Sequence, residues 1–322
     1  MKTLLKVLLI TSLVPVILAL LLTIRYYSGQ KKIEKVNSLL CKKQISLTPV
    51  DRLLLTPIID SQTVNPAYKT EDGVAYLVQT ANNTVLFDVG YNKKDEKISP
   101  LLYNLDKMNT DLEQIDFIAI SHAHVDHCGG ISVMKEKKIK LANGPVDLQG
   151  KKIFSPAPLS CETGSVVTVT NPESLTEEIG STGPLSVQMF ATGQLMEQSL
   201  LINLKGKGLV VIIGCGHPQV ETIIDAAEKI TGIPVYAVIG GAHLYYTKVQ
   251  DTFLRNIFGS SKLFCRSMTK AEVLSTIDFL KKAGVQKVYL SPHDSDLATQ
   301  NLFASEYGAN YETIKVGKKI EL

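Results

Sequence analysis

Three of the chain's six histidines fall within six consecutive positions, in the stretch SHAHVDHCGG at 121–130. His122, His124, Asp126 and His127 spell H-x-H-x-D-H. Imidazole and carboxylate are natural ligands of zinc, iron and manganese, and a loop leaving a strand can turn alternate side chains toward one point. The spacing can serve two ions, His122 and His124 facing one while Asp126 and His127 face a second. Paired ions about 3.5–4 Å apart clamp the attacking and leaving oxygens of a displacement.

The remaining histidines are informative by position. His217 follows the apolar run GLVVII in GCGH, His243 ends VYAVIGGAH, and His293 ends KVYLSPH. Each stands just past an expected strand. In open α/β sheets ligands gather beyond the carboxyl ends of strands, so all six histidines are expected at one edge of the fold. Any one of these three alone would pass as a packed core histidine; six in one setting do not. Cys215 reads either as a thiolate ligand or bridge between the ions, or as a small buried filler. Cys128 reads as filler.

The elements that must carry these residues alternate in type. GVAYLVQTANNTVLFDVG (73–90) reads as two strands joined at Asn82-Asn83, a pair suited to a tight turn. A helix is expected around 98–109, and DFIAIS (116–121) has the character of a buried strand ending at the cluster. Strands follow near 200–204, 208–213, 234–239 and 286–290, with helices near 218–230 and 270–283. That order implies a layered α/β fold.

With 322 residues and 45% apolar content, the chain can bury a large core. Its charge of +3, from 34 basic and 31 acidic residues, gives no electrostatic argument for nucleic acid. KEKKIK at 135–140 reads as a solvated face. Five cysteines without close pairs suggest neither a disulfide framework nor a zinc knuckle. The amino terminus differs: VLLITSLVPVILALLLTI (Val7 to Ile24) carries no charge and is long enough to cross a bilayer. An uncleaved membrane anchor is the favoured reading, because no clean small-x-small cleavage site follows. Removal as a signal segment, with export of the domain, is the alternative. Arg25, Lys31, Lys32 and Lys35 point the domain toward the cytoplasm, a signal-like start away from it. The basic stretch from Arg25 to Gln44 reads as a juxtamembrane connector. The division expected is 1–30 anchor or signal and 31–322 one catalytic domain.

H-x-H-x-D-H, with TVLFDVG upstream, resembles the metallo-β-lactamase superfamily. Longer stretches, among them EQSLLINLKGKGLVVIIGCGHPQVETIIDAAEKITG, look like the branch of metal-dependent hydrolases that includes the dihydropterin ribofuranosylaminobenzene phosphate synthases of methanogens. The resemblance runs from about residue 70 to 293. It implies an αββα sandwich, preceded here by the N-terminal hydrophobic helix, with two divalent ions at one sheet edge. Zinc is the first choice, iron and manganese the others. By resemblance, His122, His124 and His217 hold one ion and Asp126, His127 and His293 the other, with Asp88 supporting the loop. His243 matches the branch's G-G-F-H, with Ala242 in place of the aromatic residue, and is expected to touch substrate. The branch ends P-C-H-C-T-G, whereas this chain has SPHDSD, which makes Asp294 or Asp296 candidate supports for His293. The segment 244–267 is longer than usual, and Tyr245, Tyr246, Phe253, Phe258 and Phe264 are available to wall a pocket. Glu197 stands where many members place a histidine ligand, and a structural role is expected of it.

Bound divalent ions lower the pKa of water toward about 7 and would activate it against a carbonyl or phosphoryl centre. Asp126 would orient the nucleophile or carry its proton, and His243 would meet the anionic leaving portion. The expected function is metal-dependent hydrolysis of an ester, phosphoester or related bond in a small-molecule substrate. The alternatives are a synthase-type condensation on a phosphorylated pterin-like substrate and a membrane-tethered metal-binding or sensor domain without turnover. No G-x-S-x-G elbow or G-x-x-x-x-G-K loop is present, so serine-hydrolase and P-loop readings fall away.

Overall fold

The computed structural model describes residues 2–247 and 252–322. Two seven-stranded sheets face each other. The first runs in the order Ile320–Glu321, Leu54–Ile59, Ala75–Gln79, Thr84–Phe87, Phe117–Ala119, Lys152–Ser155, Ser165–Thr168. The second runs Tyr311–Thr313, Lys287–Leu290, Val235–Gly240, Gly208–Ile213, Leu200–Leu204, Ile179–Ser181, Glu173–Ser174.

Strand alternation explains the layering. In Leu200–Leu204, Leu200, Ile202 and Leu204 join Tyr76, Val78, Val85 and Phe87 of the first sheet in the central core. Leu201 points the other way, with Leu209, Val211 and Ile213, onto the helices Val220–Thr231, Lys270–Lys282 and Leu297–Tyr307. On the outer face of the first sheet, Leu77, Leu86 and Ile118 meet Leu101 and Leu105 of the helix Pro100–Lys107. Period-two burial on both sheets therefore gives three apolar layers, and the result is the expected αββα sandwich.

Parallel pairing aims the carboxyl ends of the central strands at one edge. Thr84–Phe87 pairs in parallel with Phe117–Ala119, and Gly208–Ile213, Val235–Gly240 and Lys287–Leu290 run parallel in the other sheet. Asp88, the H-x-H-x-D-H loop, Cys215, His217, His243 and His293 all follow these ends.

The N-terminal helix, Lys2–Leu40, does not stop where the apolar run ends. The basic stretch read as a connector is helical because it has a surface to lie on. Asn37 Nδ2 donates to the Ser186 carbonyl and the Ser186 N–H donates to Asn37 Oδ1, both at 2.9 Å, and Ile33 is buried. Leu13–Leu40 is long and apolar enough to cross a membrane, and its most apolar part makes no buried contact with the domain.

Candidate metal centre

The loop after Phe117–Ala119 is shaped around Asp88. This aspartate sits at a φ of +61°, a left-handed conformation that aspartate tolerates better than most residues. Its Oδ1 accepts the Ser121 N–H at 2.6 Å. Its Oδ2 accepts the Ser121 hydroxyl at 2.6 Å and His127 Nδ1–H at 2.7 Å. Ser121 Oγ, having donated to Asp88, accepts from His122 Nδ1 at 2.9 Å. Gly129 closes the loop where a Cβ would overlap the Lys140 carbonyl, at a φ of +80°.

These bonds assign protons. Nδ1–H of His122 and His127 points back into the protein, so Nε2 of each carries a lone pair toward the centre. In His217, Nδ1 donates to the Gly259 carbonyl at 3.1 Å, and Nε2 is buried with no hydrogen-bond partner among the described residues. A buried lone pair of that kind is costly unless a donor or cation meets it.

The rings converge. Centroids of His122 and His124 lie 4.6 Å apart, and His217 lies 4.8 Å from His122 and 4.9 Å from His124. His127 lies 4.1 Å from His122 and 5.7 Å from His293. Ligand atoms of His122, Cys215 and His217, and again of His127, Cys215 and His293, all lie within 4.8 Å of one another. Cys215 belongs to both groups, and its Sγ is 2.9 Å from His127 Nε2. Neither group includes His124 or Asp126, which stand beside them. His124 Nδ1 is 3.0 Å from His122 Nε2, and Asp126 Oδ2 is 3.2 Å from His293 Nε2. Nitrogen, thiol and carboxylate donors gathered around an unpartnered lone pair fit a divalent ion.

Electrostatics divide the cluster. Burial, reinforced by neighbouring imidazoles, holds His122 and His217 well below the usual histidine range and His124 at about 4. All three are neutral at pH 7, the form that binds metal. His127 and His293 go the other way. Burial opposes their charge, but Asp88 beside His127, and Asp294 and Asp126 beside His293, outweigh it and raise both. Desolvation likewise opposes the Asp126 charge, and His127 and His293 outweigh it, holding the carboxyl well below its ordinary value.

Three buried carboxylates brace this arrangement. Glu197 accepts the N–H groups of Cys215 and Gly216 on Oε1 at 3.0 and 2.8 Å and that of His217 on Oε2 at 2.9 Å. It positions the GCGH loop, the structural part expected of it, and burial raises it to about 7. Asp60 does the same for His293: its Oδ1 accepts the His293 N–H at 3.2 Å, and its Oδ2 accepts the hydroxyls of Tyr76 and Ser291. Sequence reasoning passed over Asp60, although an acid closing the apolar strand LLTPII was a visible signal. Asp294 holds His243, with Oδ1 3.3 Å from Nδ1, and its Oδ2 lies 4.0 Å from His293 Nε2. Asp296 serves elsewhere. It caps the helix Leu297–Tyr307 through the Thr299 N–H and accepts from Tyr246 and Thr247.

His243, at a φ of +49°, stands with its ring centroid 5.0 Å from that of His217. Both line a cavity of about 190 Å³ with Tyr245, Ser261, Arg266 and Met268. Among the described side chains, Tyr246, Phe258 and Phe264 do not line it. Tyr246 packs against the helical layer, Phe258 and Phe264 face outward, and the Phe253 side chain lies outside the described residues.

The metallo-beta-lactamase superfamily model matches residues 69–141, which span Asp88 and the whole H-x-H-x-D-H loop. That segment carries the superfamily's pattern, and the chain as a whole has the metallo-β-lactamase fold. Among curated proteins it is similar to the 7,8-dihydropterin-6-methyl-4-(beta-D-ribofuranosyl)-aminobenzene-5'-phosphate synthase of Methanocaldococcus jannaschii, 25% identical over 299 residues, covering 80% of this chain and 92% of the relative. Its fold is shared with Tm1679, described as a metal-dependent hydrolase of the beta-lactamase superfamily. That likeness has a TM-score of 0.60 and 18% identity, over 84% of this chain and 99% of that one. The metallo-beta-lactamase fold protein YhfI from Bacillus subtilis is also similar, with a TM-score of 0.50 and 15% identity, over 84% of this chain and 100% of that one. The candidate centre lies where the carboxyl ends of the parallel strands of both sheets come together.

Proposed function

We propose that this chain is a metal-dependent hydrolase that cleaves an ester, phosphoester or related bond in a small-molecule substrate. His122, His124 and His217 would hold one divalent ion and Asp126, His127 and His293 a second, with Cys215 between them; zinc is the first choice. The observation that carries this reading is the convergence of His217 and His293 on the 122–127 loop, with buried His217 Nε2 unpartnered among the described residues. Residues 31–322 would form the hydrolase domain, held at a membrane by the segment 1–30.

When bound, such ions acidify water and polarise the centre under attack. The chain's own residues supply the rest. Asp126, ionised and partly open to solvent, would orient the attacking water. Asp88 and Ser121 keep His122 and His127 in the tautomer that leaves Nε2 free. His243, turned by Asp294 into the cavity, meets the anionic leaving portion.

The similarity to the methanogen synthase favours one second reading, condensation on a phosphorylated pterin-like substrate. A panel of model esters and phosphodiesters, offered to the metal-loaded chain and to Asp126→Asn, separates the two. Hydrolysis of at least one class, falling about 10²–10⁴-fold in the variant, is expected. Full metal occupancy with no cleavage of any member contradicts hydrolysis, and condensation of a phosphorylated pterin-like substrate would put the second reading in its place.

A further inference from the structure

The N-terminal helix and the cavity share a wall. Along residues 13–24 the helix is bare, with Leu18, Leu21 and Ile24 more than half exposed. Val7 to Ile24 covers about 27 Å at 1.5 Å per residue, close to the thickness of a bilayer core. From Arg25 the helix meets the domain. Arg25 Nη2 donates to the carbonyls of Phe190 and Ala191, at 2.6 and 2.9 Å, on the tip of the hairpin Leu185–Met189/Gly193–Glu197. Tyr26 Oη donates to the Ser261 carbonyl at 2.8 Å. Ser261 lines the cavity, and two residues earlier Gly259 accepts from His217. The first polar residues after the apolar run thus touch the rim of the candidate site.

That rim has the make-up of a membrane interface. Tyr26 packs on Phe190, and Phe190 on Phe264, with centroids 5.8 and 5.1 Å apart. Phe264 is 61% exposed and sits at a φ of +55°, a conformation bulky residues rarely adopt. Aromatic rings beside cations are typical of the head-group level. Lys262 and Arg266 line the cavity there and share one carboxylate, Glu272, so cationic groups are concentrated at this end, while the other lining acid, Glu221, accepts from Thr276. At about 190 Å³ the cavity is smaller than the roughly 300 Å³ and upward that enclose whole ligands, so it holds one end of a molecule.

We infer that the cavity mouth opens on the bilayer surface and admits amphiphiles. An anionic head group enters past Lys262 and Arg266 toward His243, while the alkyl chain stays in the membrane beside Phe264. This deepens the hydrolase reading by naming its substrate class, and it rests on the N-terminal helix remaining as a membrane span.

The chain has no tryptophan, which makes a single reporter available. The test uses the full chain in lipid nanodiscs with brominated acyl chains, carrying either Phe264→Trp or, as control, Lys207→Trp at the opposite end of the strand that leads to Cys215. Strong quenching at 264 with little at 207 is expected; equal quenching overturns the proposal. In a second readout, metal-loaded chain in nanodiscs is titrated with methylphosphonate and dodecylphosphonate, with empty discs subtracted. Dodecylphosphonate should bind at least about tenfold tighter, a preference lost in Phe264→Asp. Equal affinities, or a preference that survives the variant, overturn it. Neither readout requires turnover, so failure of hydrolysis alone counts against the hydrolase reading and not against this placement.

Discussion

Asp88 Oδ2 lies 2.7 Å from His127 Nδ1 and 2.6 Å from Ser121 Oγ, so one carboxylate fixes the ring orientation of two candidate ligands, His127 directly and His122 through the serine. Asp88→Asn keeps the left-handed backbone, which asparagine tolerates, but puts an amide in place of a carboxylate that accepts three hydrogen bonds. Supporting partners of metal ligands are typically worth 10–100-fold in affinity, and a loss of about that size is expected from chelator-competition titration. Unchanged affinity would show that the Asp88 bonds do not tune the centre.

Glu197→Gln tests the brace on the GCGH loop. The amide cannot accept on both sides, so at least one N–H among Cys215, Gly216 and His217 loses its buried partner. A loss of about 1–3 kcal/mol in metal-free stability is expected from thermal or denaturant unfolding, with activity falling as His217 is released. A variant as stable and active as wild type would rule out this role.

Acidification should remove the two ions in order. In the metal-free chain His127 and His293 are raised, so protons compete with an ion at Asp126, His127 and His293 at higher pH than at the other three histidines. His122 and His217 are held well below the ordinary range and His124 at about 4, so protons compete there only at lower pH. Occupancy should therefore step from about two ions to about one and then to none as pH falls, the ion at Asp126, His127 and His293 leaving first. Equilibrium dialysis with elemental analysis reads this, and simultaneous loss of both ions contradicts the division.

Gly29→Leu tests the docking of the N-terminal helix, because any side chain at 29 runs into Gln188. Hydrogen exchange over residues 25–40 should accelerate, since those amides would no longer be held against the domain. Unaltered exchange would mean that the helix owes its order to something other than this surface.

The layered fold and the candidate ligands were legible because both rest on local signals. Apolar runs of strand length mark the sheet, and His122 to His127, His217, His243 and His293 stand at their ends. What escaped depends on contacts between distant segments. Asp60 acts on His293 across more than 200 positions. The helix beyond Arg25 is ordered by Ser186, Gln188 and Phe190, which no periodicity within 25–40 could announce. The outward turn of Phe264 depends on a positive φ at a non-glycine residue, which composition does not encode.

Side chains from three separate loops, 122–127, 215–217 and that of His293, are proposed to cage divalent ions jointly. Elemental analysis of the full chain purified without added metal, beside His217→Ala and His293→Ala, tests this most directly. About two equivalents per chain in wild type and about one in each variant are expected. A wild-type chain that retains no metal and takes up none on dialysis, or variants that hold as much as wild type, would contradict it.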